Sequence, residues 1–469
     1  MSQELAFLPA TRQAELIKAG ELSPVELTEL YLSRIEKLDG ELNAFVTVTA
    51  EGALADAARK EKQVAAGEDL PSFHGVPIPI KELDDVAGVR TTYSSRSFES
   101  HVPETDAATV TRLRGAGFVL LGKSNSPEFG TIPMTESDLN GVCRNPWDVT
   151  RTPGGSSGGA GAAVASGMAP AAHGSDGGGS IRIPASCCGL FGLKPSRGRI
   201  SQAPGGEGWA GFSTQGALTR TVRDSAAILD VLSGYETGDP YWAPPPDRPF
   251  VDEVGAQVGR LRIGFTTASP TGSPIEPEPL AAVEDAVVLL EELGHQVTEV
   301  EPEWADPELV PMFITVVQTS SAYHDGTDPE KLEPLNRMLA EAAMATSSLD
   351  YIKALEGLKA QSRRVVALWN DYDVIVTPTL AMVPPKTGWI RDQEDPFMQL
   401  ALAGAFIPFT PGPNITGQPA ASIPLHWTDE GLPVGVQLIG PPVGDALLLR
   451  LSAQLEEAKP WSERRPPIS

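Results

Sequence analysis

Two glycine-rich stretches, placed close together, constrain this chain more than any other feature. The first reads Arg151-Thr152-Pro153-Gly154-Gly155-Ser156-Ser157-Gly158-Gly159, and the second Gly174-Ser175-Asp176-Gly177-Gly178-Gly179-Ser180-Ile181-Arg182-Ile183-Pro184. Glycine lets a backbone approach another group closely and adopt positive φ. Such stretches aim backbone N–H groups at negative charge. Each stretch also presents a serine, which suggests a nucleophilic hydroxyl beside a nest of amide donors. A lysine upstream, Lys81, closes the apolar run Val76-Pro77-Ile78-Pro79-Ile80.

Alternating strand and helix patterns frame these stretches. Ser23-Pro24-Val25-Glu26 reads as a capping box opening a helix, with Leu27, Leu30, Tyr31, Ile35 and Leu38 at helical spacing. Further helices are expected over 51–66, 107–114, 160–172, 279–293 and 446–457. Strands are expected over 76–80, 118–121, 261–266, 296–300, 374–377, 420–425 and 435–439. Pro184 falls where a first helical turn begins, so Ser180 sits just before a helix N-terminus. The alternation argues for an α/β protein: a large, twisted, mixed sheet with helices on both faces. Pro244-Pro245-Pro246-Asp247-Arg248-Pro249 reads as a short stiff linker. Residues 240–400 carry no site-like motif and are expected to form a variable lobe shaping the pocket. N-terminal helices over 1–70 and a catalytic core of 71–220 and 401–469 complete a single-domain reading of 1–469.

Composition narrows the function classes. The 469 residues carry a formal charge of −25, which on average repels nucleic acid and anionic membranes. The expected partner is a small molecule, with the protein a monomer or homodimer. Cys143, Cys187 and Cys188 form no disulfide framework and read as buried apolar residues of a reducing compartment. The six histidines show no metal-ligand spacing, and no metal or cofactor is expected. Met1–Ala10 lacks the basic flank and apolar run of a signal peptide, so a cytoplasmic location is expected.

Two motif matches are misleading. Gly117-Phe118-Val119-Leu120-Leu121-Gly122-Lys123-Ser124 fits the phosphate-loop pattern by letter, but its middle is a buried-strand run rather than a polar cradle. Gly154-Gly155-Ser156-Ser157-Gly158 fits the nucleophile elbow of α/β-hydrolases, yet loop residues precede it where an elbow needs a strand. The remaining reading joins Lys81, Ser156 and Ser180. A serine needs a base to take its proton, and a desolvated lysine can serve. The plainer alternative pairs Lys81 with Glu82, Asp84 or Asp85 at the surface.

Together these residues resemble the amidase signature family. The match runs through 75–88, 117–129, Asn145-Pro146-Trp147 and 151–195, and resumes at Asn414-Ile415-Thr416-Gly417-Gln418-Pro419. The resemblance implies the family's fold and a Ser–cisSer–Lys triad. Ser180 is then the nucleophile, Ser156 the serine that follows a cis peptide bond, and Lys81 the base. It implies an oxyanion hole from Gly177, Gly178, Gly179 and Ser180, with Ser157, Ser175, Asp176 and Arg182 supporting the loop. Phe129, Gly130, Thr131 and Ile132 are expected along the substrate pocket. The implied activity is cleavage of a carboxylic amide C–N bond through an acyl-enzyme. A carbamate (urethane) or ester hydrolase with the same triad is the alternative. A glutaminase subunit of a tRNA-dependent amidotransferase is a third reading, opposed by Ile183, where those subunits usually carry glutamine. Glu82, Ala160, Gly177 and Cys187 depart from the common family pattern.

Overall fold

Ser23 does cap a helix. Its Oγ accepts the N–H groups of Val25 (3.1 Å) and Glu26 (3.2 Å) at the head of Pro24–Leu42. The return half of the capping box does not form. The Ser23 hydroxyl donates to Glu61 instead, and Glu26 faces solvent. The computed structural model describes residues 3–469, so Met1 and Ser2 of the N-terminal stretch lie outside it.

Among the described residues, thirteen strands follow in chain order. The first three, β1 (Phe45–Val48), β2 (Pro77–Lys81) and β3 (Val119–Ser124), form a small sheet ordered β1-β3-β2. A two-stranded ribbon joins β4 (Glu136–Ser137) to β5 (Gly141–Val142). The remaining strands are β6 (Ala171–Asp176), β7 (Phe191–Lys194), β8 (Thr214–Thr219), β9 (Arg262–Phe265), β10 (Gln296–Glu299), β11 (Val374–Pro378), β12 (Ala420–Trp427) and β13 (Pro433–Ile439). They build one mixed sheet ordered β10-β9-β11-β13-β12-β7-β8-β6. Within this sheet β10-β9 and β9-β11 pair in parallel and the other neighbours antiparallel, while β2-β3 of the small sheet is also parallel.

Helices cover both faces of this sheet. On β8, successive residues point to opposite sides. Ala217 joins the large core that includes Val283 and Leu290 of helix Pro277–Glu292, whereas Leu218 joins a second core with Ala160 and Val164 of helix Gly158–Ala165. Full burial of a side chain such as Val376, Ile423 or Leu438 contributes about 1.5–3 kcal/mol relative to exposure.

Two sequence expectations need correction. The helix expected over 160–172 ends at Ala165, and Ala171–Asp176 is the edge strand β6. Gly167 at φ +73° turns the chain, and small apolar residues suit a buried helix or strand equally. The 240–400 region is also not a lobe throughout. It supplies β9, β10, β11 and helix Pro277–Glu292 to the main sheet, while helices Leu309–Val317, Pro334–Ala345, Ser348–Val366 and Pro396–Phe406 stand over the site. Among the described residues no helix is long and apolar enough to cross a membrane.

Candidate active site

The two glycine stretches meet because short polar ties hold them. Asn145 Nδ2 donates to Thr152 O at 3.1 Å and to Cys187 O at 2.8 Å, and Trp147 Nε1 donates to Cys188 O at 2.8 Å. The Ser157 N–H donates to Ser180 O at 3.3 Å, directly linking one stretch to the other. The Gly155–Ser156 peptide bond is cis.

Lys81 ends β2 with its side chain fully buried. It is not paired with the acids that follow it. Its Nζ lies 2.8 Å from Ser156 Oγ, 3.0 Å from Ser175 Oγ and 3.4 Å from Ser175 O. Glu82 accepts the Thr92 N–H and hydroxyl, both at 2.7 Å, and Asp85 accepts the Tyr93 hydroxyl at 2.8 Å. Burial lowers the Lys81 pKa from 10.5 to about 7, against the opposing pull of Asp84 and Asp176. A substantial neutral fraction is therefore present near neutral pH.

Ser180 lies on the turn between β6 and helix Arg182–Cys188, 8% exposed. No hydrogen bond joins its hydroxyl to that of Ser156. Such contacts often close only around substrate. Asp176 organises the turn. Its carboxylate accepts the N–H groups of Gly179 (2.8 Å), Ile181 (3.2 Å) and Arg182 (3.4 Å). The Arg182 side chain meets the same carboxylate through Nε (3.0 Å) and Nη2 (2.8 Å). Burial raises the Asp176 pKa, but Arg182 more than offsets this and holds it at about 2. The turn is thus clamped by the buried Asp176–Arg182 ion pair.

This clamp commits the Gly179 N–H to Asp176, so that group is not aimed at substrate. The N–H groups of Gly177, Gly178 and Ser180 have no acceptor among the described residues. Gly177 also has a packing reason to lack a side chain. A Cβ there would stand 2.8 Å from the Trp209 ring.

A cavity of about 160 Å³ opens beside Ser180. Gly130, Thr131, Ile132 and Ile183 line it. Phe129 does not. At φ +51° its ring turns away to stack on His324, 5.3 Å between centroids. Gly130 follows at φ +73°, and a Cβ there would lie 2.8 Å from Leu83 and 3.0 Å from Ser156 Oγ. Gly130→Ala is expected to displace the Ser156 hydroxyl and lower kcat by about ten- to a hundred-fold, the scale of a small misplacement of a reacting group. An unchanged kcat would show that Ser156 has no positional role.

The misleading motifs resolve physically. Gly122, Lys123 and Ser124 lie in β3, and Lys123 Nζ donates to Asp84 O (2.6 Å) and Thr91 Oγ1 (2.8 Å) inside the protein. A nucleophile elbow would also need a histidine, and three that could in principle complete a triad, His295, His324 and His426, are engaged elsewhere. His295 meets Gln454, His426 meets Asp285 and Glu278, and His324 stacks on Phe129 and Tyr93. The three cysteines are buried, and burial raises their thiol pKa values, which suits packing.

Some supporting residues escaped sequence reasoning. Thr410 Oγ1 donates to Gly178 O at 2.7 Å. Asn414 Nδ2 donates to Asp176 O (2.8 Å) and Oδ1 (2.9 Å), and Gln437 Oε1 accepts from Arg182 at 2.6 Å. Asn414 opens the last stretch of the family resemblance, which was a usable signal. Thr410, Gln437 and Trp209 gave none, because only tertiary folding brings them to the turn.

Comparison with known proteins identifies the family. The amidase family model matches residues 26–449. The chain is 41% identical to putative amidase AmiB2 of Mycobacterium tuberculosis (strain ATCC 25618 / H37Rv) over 99% of both proteins. It is 36% identical to an acylamidase of Rhodococcus erythropolis over 99% of this chain and 98% of that protein. A solved structure of 6-aminohexanoate cyclic dimer hydrolase complexed with substrate superposes with a TM-score of 0.93, at 34% identity, covering 99% of each chain. The chain therefore belongs to the amidase family and is an amide hydrolase.

Proposed function

We propose that the protein cleaves the carboxylic amide C–N bond through an acyl-enzyme on Ser180. The observation that carries this reading is the buried contact of Lys81 Nζ with Ser156 Oγ at 2.8 Å, beside a serine that follows a row of glycines. Neutral Lys81 takes the proton of Ser156, which takes that of Ser180 as Ser180 Oγ attacks the carbonyl carbon. The N–H groups of Gly177, Gly178 and Ser180 receive the developing oxyanion. A single donor of this kind is worth about 2.7–4 kcal/mol in the transition state. Ser156 then hands a proton to the departing amine, and the C–N bond breaks. Water, deprotonated by the same relay, releases the carboxylic acid.

Carbamates and esters present the same carbonyl to the same groups, so the chemistry extends to them. Partitioning with hydroxylamine tests the common intermediate. An amide and an ester sharing one acyl group should give the same ratio of hydroxamate to free acid, because both pass through one acyl-enzyme. Ratios that differ with the leaving group would contradict the scheme.

A further inference from the structure

The cavity beside Ser180 extends from Gly130 and Ile183 past Phe313 and Trp304 to Trp369. One residue in five of this chain is charged (21%). None of the 34 residues around the cavity is Asp, Glu, Lys, Arg or His. Several of its polar side chains are already engaged by the protein. Gln361 Nε2 donates to Trp304 O (3.0 Å), Ser362 Oγ to Leu358 O (2.9 Å), Gln418 Nε2 to Gly440 O (2.8 Å) and Thr131 Oγ1 to Glu128 O (3.1 Å). A charged group entering here would lose its water and meet no counter-ion, which is strongly unfavourable. The volume, about 160 Å³, is that of cavities near 150 Å³ that hold one benzene ring.

We propose that this cavity is the binding site for an uncharged, aryl-sized apolar group on one side of the scissile amide. It selects neutral hydrophobic amides and rejects those with a terminal ammonium or carboxylate, free glutamine among them. This inference rests on the proposed function above and assigns its substrate class.

Two series of amides test it on the full-length protein. One varies the acyl group of N-methylamides: acetyl, butyryl, hexanoyl, phenylacetyl, 6-aminohexanoyl and the monoamide of adipic acid. The other varies the amine of acetamides: methyl, butyl, hexyl, benzyl and 6-aminohexyl. In one series kcat/KM should climb about four-fold per methylene until the cavity is full, the factor expected for burying a CH₂ group. Its charged members should lose that gain, falling at least a hundred-fold below their neutral counterparts. Gly404 lines the cavity, and a Cβ there meets no atom within 4 Å. Gly404→Phe should flatten the climb by occupying the space. Labelling of Ser180 by a fluorophosphonate separates two failures. If Ser180 is labelled and both series are flat, or charged members match neutral ones, the apolar site is wrong and the catalytic reading stands. If Ser180 is not labelled and no amide is cleaved, both fall.

Discussion

Ser180→Ala should lower amide hydrolysis by about 10⁴–10⁶-fold, the loss expected on removing the proposed nucleophile of an acyl-transfer site. The protein should stay folded. Among the described residues the Ser180 hydroxyl has no hydrogen-bond partner, and its backbone carbonyl still receives the Ser157 N–H. Asp176 and Arg182 fix the turn independently of the Ser180 side chain. Thermal unfolding of the variant should therefore match the parent within a degree or two while turnover disappears. Activity within ten-fold of the parent would mean that another group attacks the carbonyl.

Lys81→Met has two effects of opposite sign. Loss of the base should lower kcat by about 10²–10⁴-fold, the usual contribution of positioned proton transfer. In the parent, the active form has neutral Lys81, so activity should rise with pH through an inflection at about 7. That inflection should vanish from the residual activity of the variant. Stability should move the other way. Lys81 has its ordinary pKa of 10.5 when unfolded and about 7 when folded. Between those values the unfolded chain holds a proton that the folded chain lacks, so this group's contribution to stability rises with pH. Below pH 7 the folded state bears the whole cost of a buried ammonium, on the order of 5 kcal/mol at about 1.4 kcal/mol per tenfold change in proton affinity. Lys81→Met removes that cost. It should raise the unfolding free energy most below pH 7 and least as pH approaches 10.5. Denaturant titrations at pH 6 and 9 check this. A variant destabilised equally at both would mean that Lys81 is charged and well satisfied in the folded protein.

The parts of the site legible in sequence were those with local chemistry. Ser156 and Ser180 stood out because glycines surround them, and Lys81 because it ends an apolar run. The family resemblance then tied the three together, which spacing alone did not. Gly177 departs from the common family pattern, and it is the residue that admits the Trp209 ring. Gly179 read as an oxyanion donor by position, yet its N–H belongs to Asp176. Both outcomes depend on contacts that sequence order does not encode. The same holds for the fold. Strands rich in branched residues, such as β11 and β13, were visible in the sequence. The edge strand β6 was hidden in a run of alanine and glycine, where helix and strand patterns coincide. Phe129 is expected along the pocket from its family position, but a left-handed backbone turns its ring toward His324.

The departure at Glu82 has a local consequence. A longer acid after Lys81 reaches Thr92 and keeps away from the lysine. That leaves Lys81 facing two serines, with no carboxylate in direct contact to hold its proton.

The most direct measurement of the central claim is the mass of the enzyme during turnover. An activated ester with a hydrophobic acyl group should react faster than the acyl-enzyme is hydrolysed. Acid quenching followed by peptide mapping should then find one acyl group, on Ser180, and none in Ser180→Ala. An acyl group on Ser156, Ser157 or a cysteine, or no adduct while acid is released steadily, would contradict the account.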